Sequence, residues 1–556
     1  MRFTSGHDRI SFGRAFAEEA FPPPGPLTRA VWGSFLLQFV IAAAVFRVMG
    51  YYRLMDPDEG HFLGAIRNVY NGLVPCQDFF FQQMPLFPYP YAAAMKIFGY
   101  GYEPCIWVSV LCGAGLAVVT SAWFVRYGGG VVAGWVGWCL VLLNAQILFW
   151  TPTVKNHAMP VFFGMLALYA ASRRGASRSS AFWWAALAGF AAMWAVGTRL
   201  LALPFTLLAG GWILMRVVTQ PRAVGVWQGL AGFALGLLPP GCLLLRSVLP
   251  DPWVFGFDVV GFHAIRSGDL GTFGTWKSVS WILTEMFYQG QFPALLAVAL
   301  IAGVGGIVLH FRKTSRSPVP PEKSAAAPAD RSPELVPAWL TLFGLGAAIL
   351  GLLPEKTFHQ YFMVPLLFFI LAGLPGWCVL LRLRKPAGIF GAVLLLAAYG
   401  GTPWHGSIEL FNHREWVYPR FPREYGVPSV RELSQVLAEM TQPDDPIFTT
   451  WQGFTFFANR RDLPGNENFN ARLIASQLSE NQLRRLHVAS NEELTAAIRH
   501  GEPKVVVLGF FVSHYRDILY EWNPAVGEYT LRPEFLQQYR LIGHIGYHQI
   551  WLRQQP

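Results

Sequence analysis

Charge is what this sequence has least of. Only 14% of its 556 residues are Asp, Glu, Lys or Arg, 53% are hydrophobic, and the mean hydropathy is +0.34. That balance excludes an ordinary soluble globule and describes a polytopic membrane protein. Cysteine is scarce as well, with six residues, and Cys112, Cys139, Cys242 and Cys378 fall in apolar runs where a thiol acts as a small hydrophobe. Cys76 and Cys105 lie in a polar stretch, where an oxidising compartment would permit pairing; spacing alone leaves that open. No Cys or His pair has zinc-ligand spacing, which argues against a structural zinc module. No internal repeat is evident across the apolar runs, which counts against an inverted-repeat transporter.

Long apolar runs are what the chain has in abundance. A helix needs about 20 apolar residues to cross the hydrocarbon. Eleven stretches approach that length: 31–49, 106–125, 131–150, 158–171, 181–197, 200–215, 224–245, 291–311, 335–353, 359–381 and 386–401. Residues 1–30 are polar, Arg-bearing and Pro-rich, too mixed for a cleaved signal peptide, so the first run is expected to remain as an anchor. Basic residues recur in every second loop: Arg2, Arg9, Arg14 and Arg29, then Arg126, then Arg173, Arg174 and Arg178. The alternation continues through Arg216 and Arg222, the linker with Arg312, Lys313, Arg316, Lys323 and Arg331, and Arg382, Arg384 and Lys385. Basic loops stay cytoplasmic, so the N-terminus is expected inside the cytoplasmic membrane and, after an odd number of spans, the C-terminus outside. This asymmetry accounts for most of the +10 formal charge without nucleic acid as a partner.

The outer segments are then 50–105, 246–290 and 402–556, and the Ser, Pro and Ala-rich stretch 314–334 is an inner linker. Residues 402–556 change character. Polar helices opened by Ser429-to-Glu432 and Ser490-to-Glu493 capping boxes, and short apolar strands such as 504–508, describe a small outer α/β domain.

Against this apolar background, Met55-Asp56-Pro57-Asp58-Glu59-Gly60-His61 stands out, three carboxylates just after the first run. Asp56 suits an N-cap, Pro57 the first helical turn and Glu59 the third position of a capping box. Phe62, Ile66, Val69 and Tyr70 follow at helical spacing up to Asn71-Gly72, predicting an amphipathic helix along the outer membrane surface. Asp58 has no capping duty and is the candidate general base. An anionic ligand at the same surface calls for cations. Lys155, Arg199, Arg266, Lys356 and His359 are the outer-facing basic residues, with Tyr361 beside the last; each also has a reading as an interfacial anchor. The loop 251–289 carries Trp253, Asp258, His263, Arg266, Asp269 and Trp276, and is expected to be a connecting loop anchored at the headgroups by its tryptophans.

Asp58-Glu59, an aromatic-bearing helix, Gly72-Leu73-Val74-Pro75, Asp78-Phe79 and Met84-Pro85-Leu86 together resemble the first outer loop of GT-C superfamily glycosyltransferases, in the protein O-mannosyltransferase and aminoarabinose transferase branch. His359-Gln360-Tyr361-Phe362 adds to the likeness more weakly. The resemblance implies a GT-C-like membrane domain over 31–401 and a polyprenyl-phosphate-linked sugar as donor. Transfer would be to a lipid, glycan or protein acceptor at the outer face. It implies Asp58, Glu59 and Asp78 as catalytic residues, with Asp58 activating the acceptor hydroxyl, and puts Arg199 in a setting similar to a basic position of relatives. By charge and outer placement Lys155, His359, Tyr361 and Arg266 are the further candidates around the donor phosphate or sugar. One departure is Gln83 before Met84-Pro85, where relatives often carry a cation ahead of a proline pair.

A single displacement would invert the anomeric centre. No cofactor is expected: Asp56-x-Asp58 has the spacing of an acidic metal pair, but Pro57 argues for a helix start. A lipid-linked-glycan flippase would place its ionisable residues at mid-membrane, and here they lie outside the spans. A non-catalytic glycan-assembly protein would need the acids only as caps, and Asp58→Asn separates that reading from an enzyme.

Overall fold

The computed structural model describes residues 28–52, 55–128, 130–173, 177–219, 221–222, 224–268, 280, 284, 290–315, 335–353, 358–382, 385–401 and 426–554. Hydrocarbon offers no partner for a backbone N–H or C=O, so the apolar runs fold as helices. In chain order these are α1 (Arg29–Tyr52), α2 (Glu59–Tyr70), α3 (Pro88–Phe98), α4 (Tyr102–Gly128), α5 (Val131–Leu142), α6 (Ala145–Trp150), α7 (Ala158–Ser172), α8 (Arg178–Thr198), α9 (Leu203–Thr219) and α10 (Val226–Val248). Then follow α11 (Pro252–Gly256), α12 (Phe262–Gly268), α13 (Gln291–Ser315), α14 (Val336–Leu352), α15 (Met363–Ala372), α16 (Leu374–Arg382) and α17 (Lys385–Gly401). Seven helices are long and apolar enough to cross a membrane, and Val131–Leu142, Ala158–Ser172, Val336–Leu352 and Pro386–Gly401 are shorter apolar ones. All eleven expected runs are thus helical, and the chain is a multi-pass membrane protein.

Three runs are not continuous α-helix, and the simplest case is 200–215, which opens as a 3-10 turn, Leu200–Ala202, before α9. The run 131–150 divides at Asn144, whose side chain accepts from Ile147 N at 3.1 Å and donates to the Tyr399 hydroxyl at 2.8 Å. Gln291 completes the repair, donating to Leu143 O at 2.8 Å and Tyr399 O at 2.7 Å while accepting from Ala145 N at 2.9 Å. The run 359–381 begins as a 3-10 turn, His359–Phe362, and continues as α15 and α16. Elsewhere backbones touch: a Cβ at Gly189 of α8 would sit 2.1 Å from Phe233 O, and at Gly236 of α10 2.0 Å from Ala186 O. Glycine at these places lets α8 and α10 pack at van der Waals distance without a hydrophobic drive between them.

The C-terminal domain contains α18 (Val427–Met440), β1 (Pro446–Thr449), α19 (Gly453–Ala458), β2 (Arg461–Asp462), α20 (Glu480–Arg485), α21 (Asn491–Arg499), β3 (Val505–Leu508), β4 (Tyr520–Asn523), β5 (Glu528–Leu531), β6 (Tyr539–Ile545) and β7 (His548–Arg553). Its main sheet has the order β2-β1-β3-β7-β6, with β1 parallel to β2 and β3 and the β7 pairings antiparallel. The Ser490 capping box is present, but Ser429 caps nothing. Pro428, with its fixed φ, starts α18 at Val427, which places Ser429 inside the first turn. A capping box absent from the sequence reading opens α20, between Ser479 and Gln482.

The amphipathic helix is present as α2, but it does not lie along an open surface. Residues 59–68 are buried, because α19 of the C-terminal domain covers the face turned away from the bundle. Arg67 explains why: its guanidinium donates to Arg460 O and Asp462 Oδ2, a buried ion pair that needs the second domain as its other half. Cys76 and Cys105 are free and buried in separate apolar clusters. Most of the expected linker 314–334 lies outside the described residues, as do 402–425.

Candidate active site

The acidic run folds as a tight turn into α2. Glu59 is fully buried and accepts from Asp56 N at 2.9 Å, Val154 N at 2.8 Å and the Tyr102 hydroxyl at 3.3 Å. The bond expected between Glu59 and Asp56 N is therefore made, but α2 begins only at Glu59, so Asp58 rather than Asp56 stands at the N-cap, without a side-chain cap bond, and Pro57 precedes the helix. The second Glu59 oxygen ties the turn to the 151–157 segment. Asp56 accepts from Asp58 N at 2.9 Å and from Lys155 Nζ at 2.8 Å. From the other side Trp451 Nε1 donates to Pro57 O at 2.7 Å, and Gly60 leaves room for the indole, since a Cβ there would fall 2.2 Å from that nitrogen.

Asp58 is the carboxylate this arrangement leaves accessible. Its side chain is 47% exposed and meets Lys155 Nζ at 3.0 Å, whereas Lys155 itself is 3% exposed. Burial pushes the Asp58 carboxyl up, but Lys155, then His61 and Arg266, outweigh it and hold it below its ordinary value. Asp56, deeper and beside two other carboxylates, is raised by burial despite Lys155. Burial alone would lower the Lys155 amine, yet the pair of aspartates holds it above its ordinary value. Lys155 also lies 5.2 Å over the Trp150 ring.

The next residues along the 151–157 segment bring in a second cation. Arg199, between α8 and α9, is 9% exposed and donates to Asn156 O at 3.3 Å and to His157 Nδ1, with its guanidinium 5.2 Å over the Tyr361 ring. Among the described residues no carboxylate pairs with it. Burial without a counter-charge pushes it down to about 10, still fully charged at neutral pH. His157 is held well below its ordinary value by burial and by Arg199 and Lys155, so the ring is neutral. With Nδ1 accepting from Arg199, the proton is on Nε2, which is buried without a hydrogen-bond partner among the described residues. Asn156 Nδ2 donates to Gln83 Oε1 at 2.7 Å, and Leu86 N donates to Gly197 O at 2.9 Å, so the Gln83-Met84-Pro85 segment is pinned beside Arg199.

The opposite wall is polar and carries Arg266. His61 Nδ1 accepts from Asn470 Nδ2 at 3.2 Å, and burial pushes this histidine down to about 3. Asn468 Nδ2 donates to Gln82 Oε1 at 2.6 Å, and His263 Nε2 meets Gln82 O at 3.1 Å. Arg266, on α12 with His263, lies close enough to influence both Asp58 and His61. Asp258 supports this wall from behind: fully buried, it accepts from Phe81 N at 3.1 Å, and burial pushes its carboxyl up to about 8. Trp253 of the same loop is covered by the Arg485 guanidinium at 4.5 Å, so the C-terminal domain holds it. Asp269 and Trp276 lie outside the described residues.

Of the residues singled out in the sequence, Asp58, Glu59, Lys155, Arg199, Tyr361 and Arg266 thus converge. Asp78 has its contacts elsewhere: it accepts from Val74 N at 2.7 Å and lines a cleft with Pro464, Glu467, Arg484 and His487. The backbone of His359 is described within its 3-10 turn; its side chain and Lys356 lie outside the described residues. His157, His61 and Asn470 were not singled out, although His61 closes the acidic run and His157 adjoins Lys155. Among the described residues no three His, Cys, Asp or Glu are grouped to hold a metal ion.

No family model matches the chain, and no curated protein matches it by sequence. Solved structures do. ArnT from Cupriavidus metallidurans bound to undecaprenyl phosphate superposes with a TM-score of 0.57 at 15% identity, covering 94% of this chain and 98% of that one. The same protein in its apo state gives 0.56 at 15% identity with the same coverage. From the membrane helices through the C-terminal domain, this chain has an ArnT-like fold.

Proposed function

We propose that the protein is a polyprenyl-phosphate-sugar-dependent glycosyltransferase acting at the outer face of the cytoplasmic membrane. The observation that carries the reading is Arg199, a buried cation with no carboxylate partner among the described residues, beside His157, whose Nε2–H is buried, and within one loop of an accessible carboxylate. A phosphate fits those donors, and the solved ArnT with undecaprenyl phosphate bound supports a polyprenyl phosphate as its source. α4, α7 and α9 start beside Tyr102, His157 and Arg199 of the site and carry the basic residues Arg126, Arg173 and Arg216 at their opposite ends, which supports a cytoplasmic N-terminus and an outer site.

In the reaction, the acceptor hydroxyl attacks the anomeric carbon, a new C–O bond forms, and the bond from that carbon to the phosphate oxygen breaks. Asp58 takes the hydroxyl proton. Lys155 keeps Asp58 ionised, which favours its readiness over its basicity, and Arg199 with His157 stabilises the charge gathering on the departing phosphate. Arg266 and Tyr361 border the sugar, and one displacement inverts the anomeric centre. Asp78 is assigned to the acceptor side, where its cleft opens between the first loop and the C-terminal domain. No metal or cofactor takes part in this scheme.

The test is reconstitution. Purified protein supplied with the extracted polyprenyl-phosphate sugars and membrane acceptors of its own cells should release free polyprenyl phosphate, and an Arg199→Gln variant should not. Equal release from both, or none from either, would remove the basis for this function.

A further inference from the structure

A second cationic place lies apart from Arg199 and Asp58. A cleft of about 240 Å³ is lined by Val69, Leu73, Val74, Ala92 and Ala93, with Lys96 and Arg246 among its walls. Lys96 comes from the last turn of α3 and Arg246 from the last turn of α10, itself long and apolar enough to cross the membrane. The Lys96 amine is 4.0 Å over the Tyr70 ring, and Tyr89 brings a hydroxyl close to Arg246 and Ser247. Neither cation pairs with a carboxylate among the described residues. Leu73 of the lining is 40% exposed, and Ile97 and Phe98, which follow Lys96 in the chain, are 72% and 77% exposed.

We infer that this cleft binds the headgroup phosphate of an anionic phospholipid. Two cations from separate helices at the end of a span suit one phosphodiester, because an exposed, unpaired lysine and arginine at headgroup level attract negative lipid. Tyr70 fixes the amine rather than neutralising it. The walls between the cations are aliphatic and the residues that follow Lys96 are apolar and exposed, which suits the glycerol and first methylenes of an acyl chain and gives a free phosphate ion nothing to gain. The occupant is therefore a membrane lipid and not a soluble anion. The inference is independent of the glycosyltransferase reading, since it uses none of the residues assigned to transfer. Its consequence is positional: a lipid here would bridge α3 and α10, and through Leu73 and Val74 would brace the loop that leads to Asp78.

Native mass spectrometry of the full chain released from detergent micelles decides the matter, with dioleoyl phosphatidylglycerol, dioleoyl phosphatidylcholine and glycerol 3-phosphate offered separately. Phosphatidylglycerol should be retained over phosphatidylcholine, and retention should fall on the order of tenfold in Lys96→Gln/Arg246→Gln. Lys96→Arg/Arg246→Lys should keep the lipid, which separates lost charge from a misfolded chain. The site as stated is overturned by undiminished retention in the neutral pair, by loss in the charge-conserving pair, or by equal retention of the two lipids. Glycerol 3-phosphate held as well as phosphatidylglycerol would mark a free-anion site and overturn the lipid assignment.

Discussion

At the scale of single residues, the turn at Asp56 to Glu59 shows one motif serving two ends. Glu59 and Asp56 spend their oxygens on backbone donors and Lys155, which leaves Asp58 as the accessible acid. Arg199 is the complementary residue. Replacing it with Gln should weaken polyprenyl phosphate binding by about 10- to 100-fold, the range of a charge-assisted hydrogen bond, as measured by lipid titration in micelles. His157→Phe keeps the apolar packing against Trp150 but removes both ring nitrogens, and should reduce binding in the same assay by a smaller factor. Asp258 gives a pH signature. Its unfolded value lies near 3.8 and its folded one near 8, so the unfolded chain sheds the proton first as pH rises. Asp258 therefore makes stability fall between those values. Thermal unfolding should show Tm declining across that window, and Asp258→Asn should flatten the decline.

Among elements, apolar length was legible in the sequence and its interruptions were not. All eleven runs became helices because composition alone dictates that outcome in hydrocarbon. The break at Asn144 depends on Gln291, 147 positions later in the chain, whose three hydrogen bonds repair the exposed backbone. Period and hydropathy carry no trace of such a partner. Gln291→Leu should leave two carbonyls and one N–H without it, and lower Tm by several degrees, at about 1 to 3 kcal/mol per buried unsatisfied group. Capping followed the same rule. Ser490 was legible because its box is local, whereas Ser429 was displaced by Pro428, an equally local signal that started the helix earlier. Gly236 was unreadable as a contact, since only the crossing of α8 shows that its missing Cβ makes room for Ala186 O.

For the whole molecule, the site belongs to neither part alone. The bundle supplies Asp58, Lys155 and Arg199, while the C-terminal domain supplies Trp451 to the turn and Asn470 to His61. The apolar helices and the small C-terminal α/β sheet domain were both legible in the sequence, but it laid α2 along the membrane because the other half of its polar face, Asp462, lies nearly 400 residues away. Arg67→Met should expose that dependence. Removing one partner of a buried ion pair costs about 3 to 5 kcal/mol, so the C-terminal domain should loosen and limited proteolysis should degrade it faster than in the unaltered protein. Asp462→Leu on top of Arg67→Met should restore part of the resistance, because the uncompensated charge is then gone.

Sugar transfer as proposed depends on Asp58 as the base that takes the acceptor proton. Mass spectrometry of surface glycolipids, glycans and glycoproteins should be compared between cells lacking the protein, cells carrying it unaltered and cells carrying Asp58→Asn at equal membrane abundance. One sugar should be missing from the same acceptor in the first and third, and present in the second. A complete set of glycans in cells carrying Asp58→Asn would contradict it.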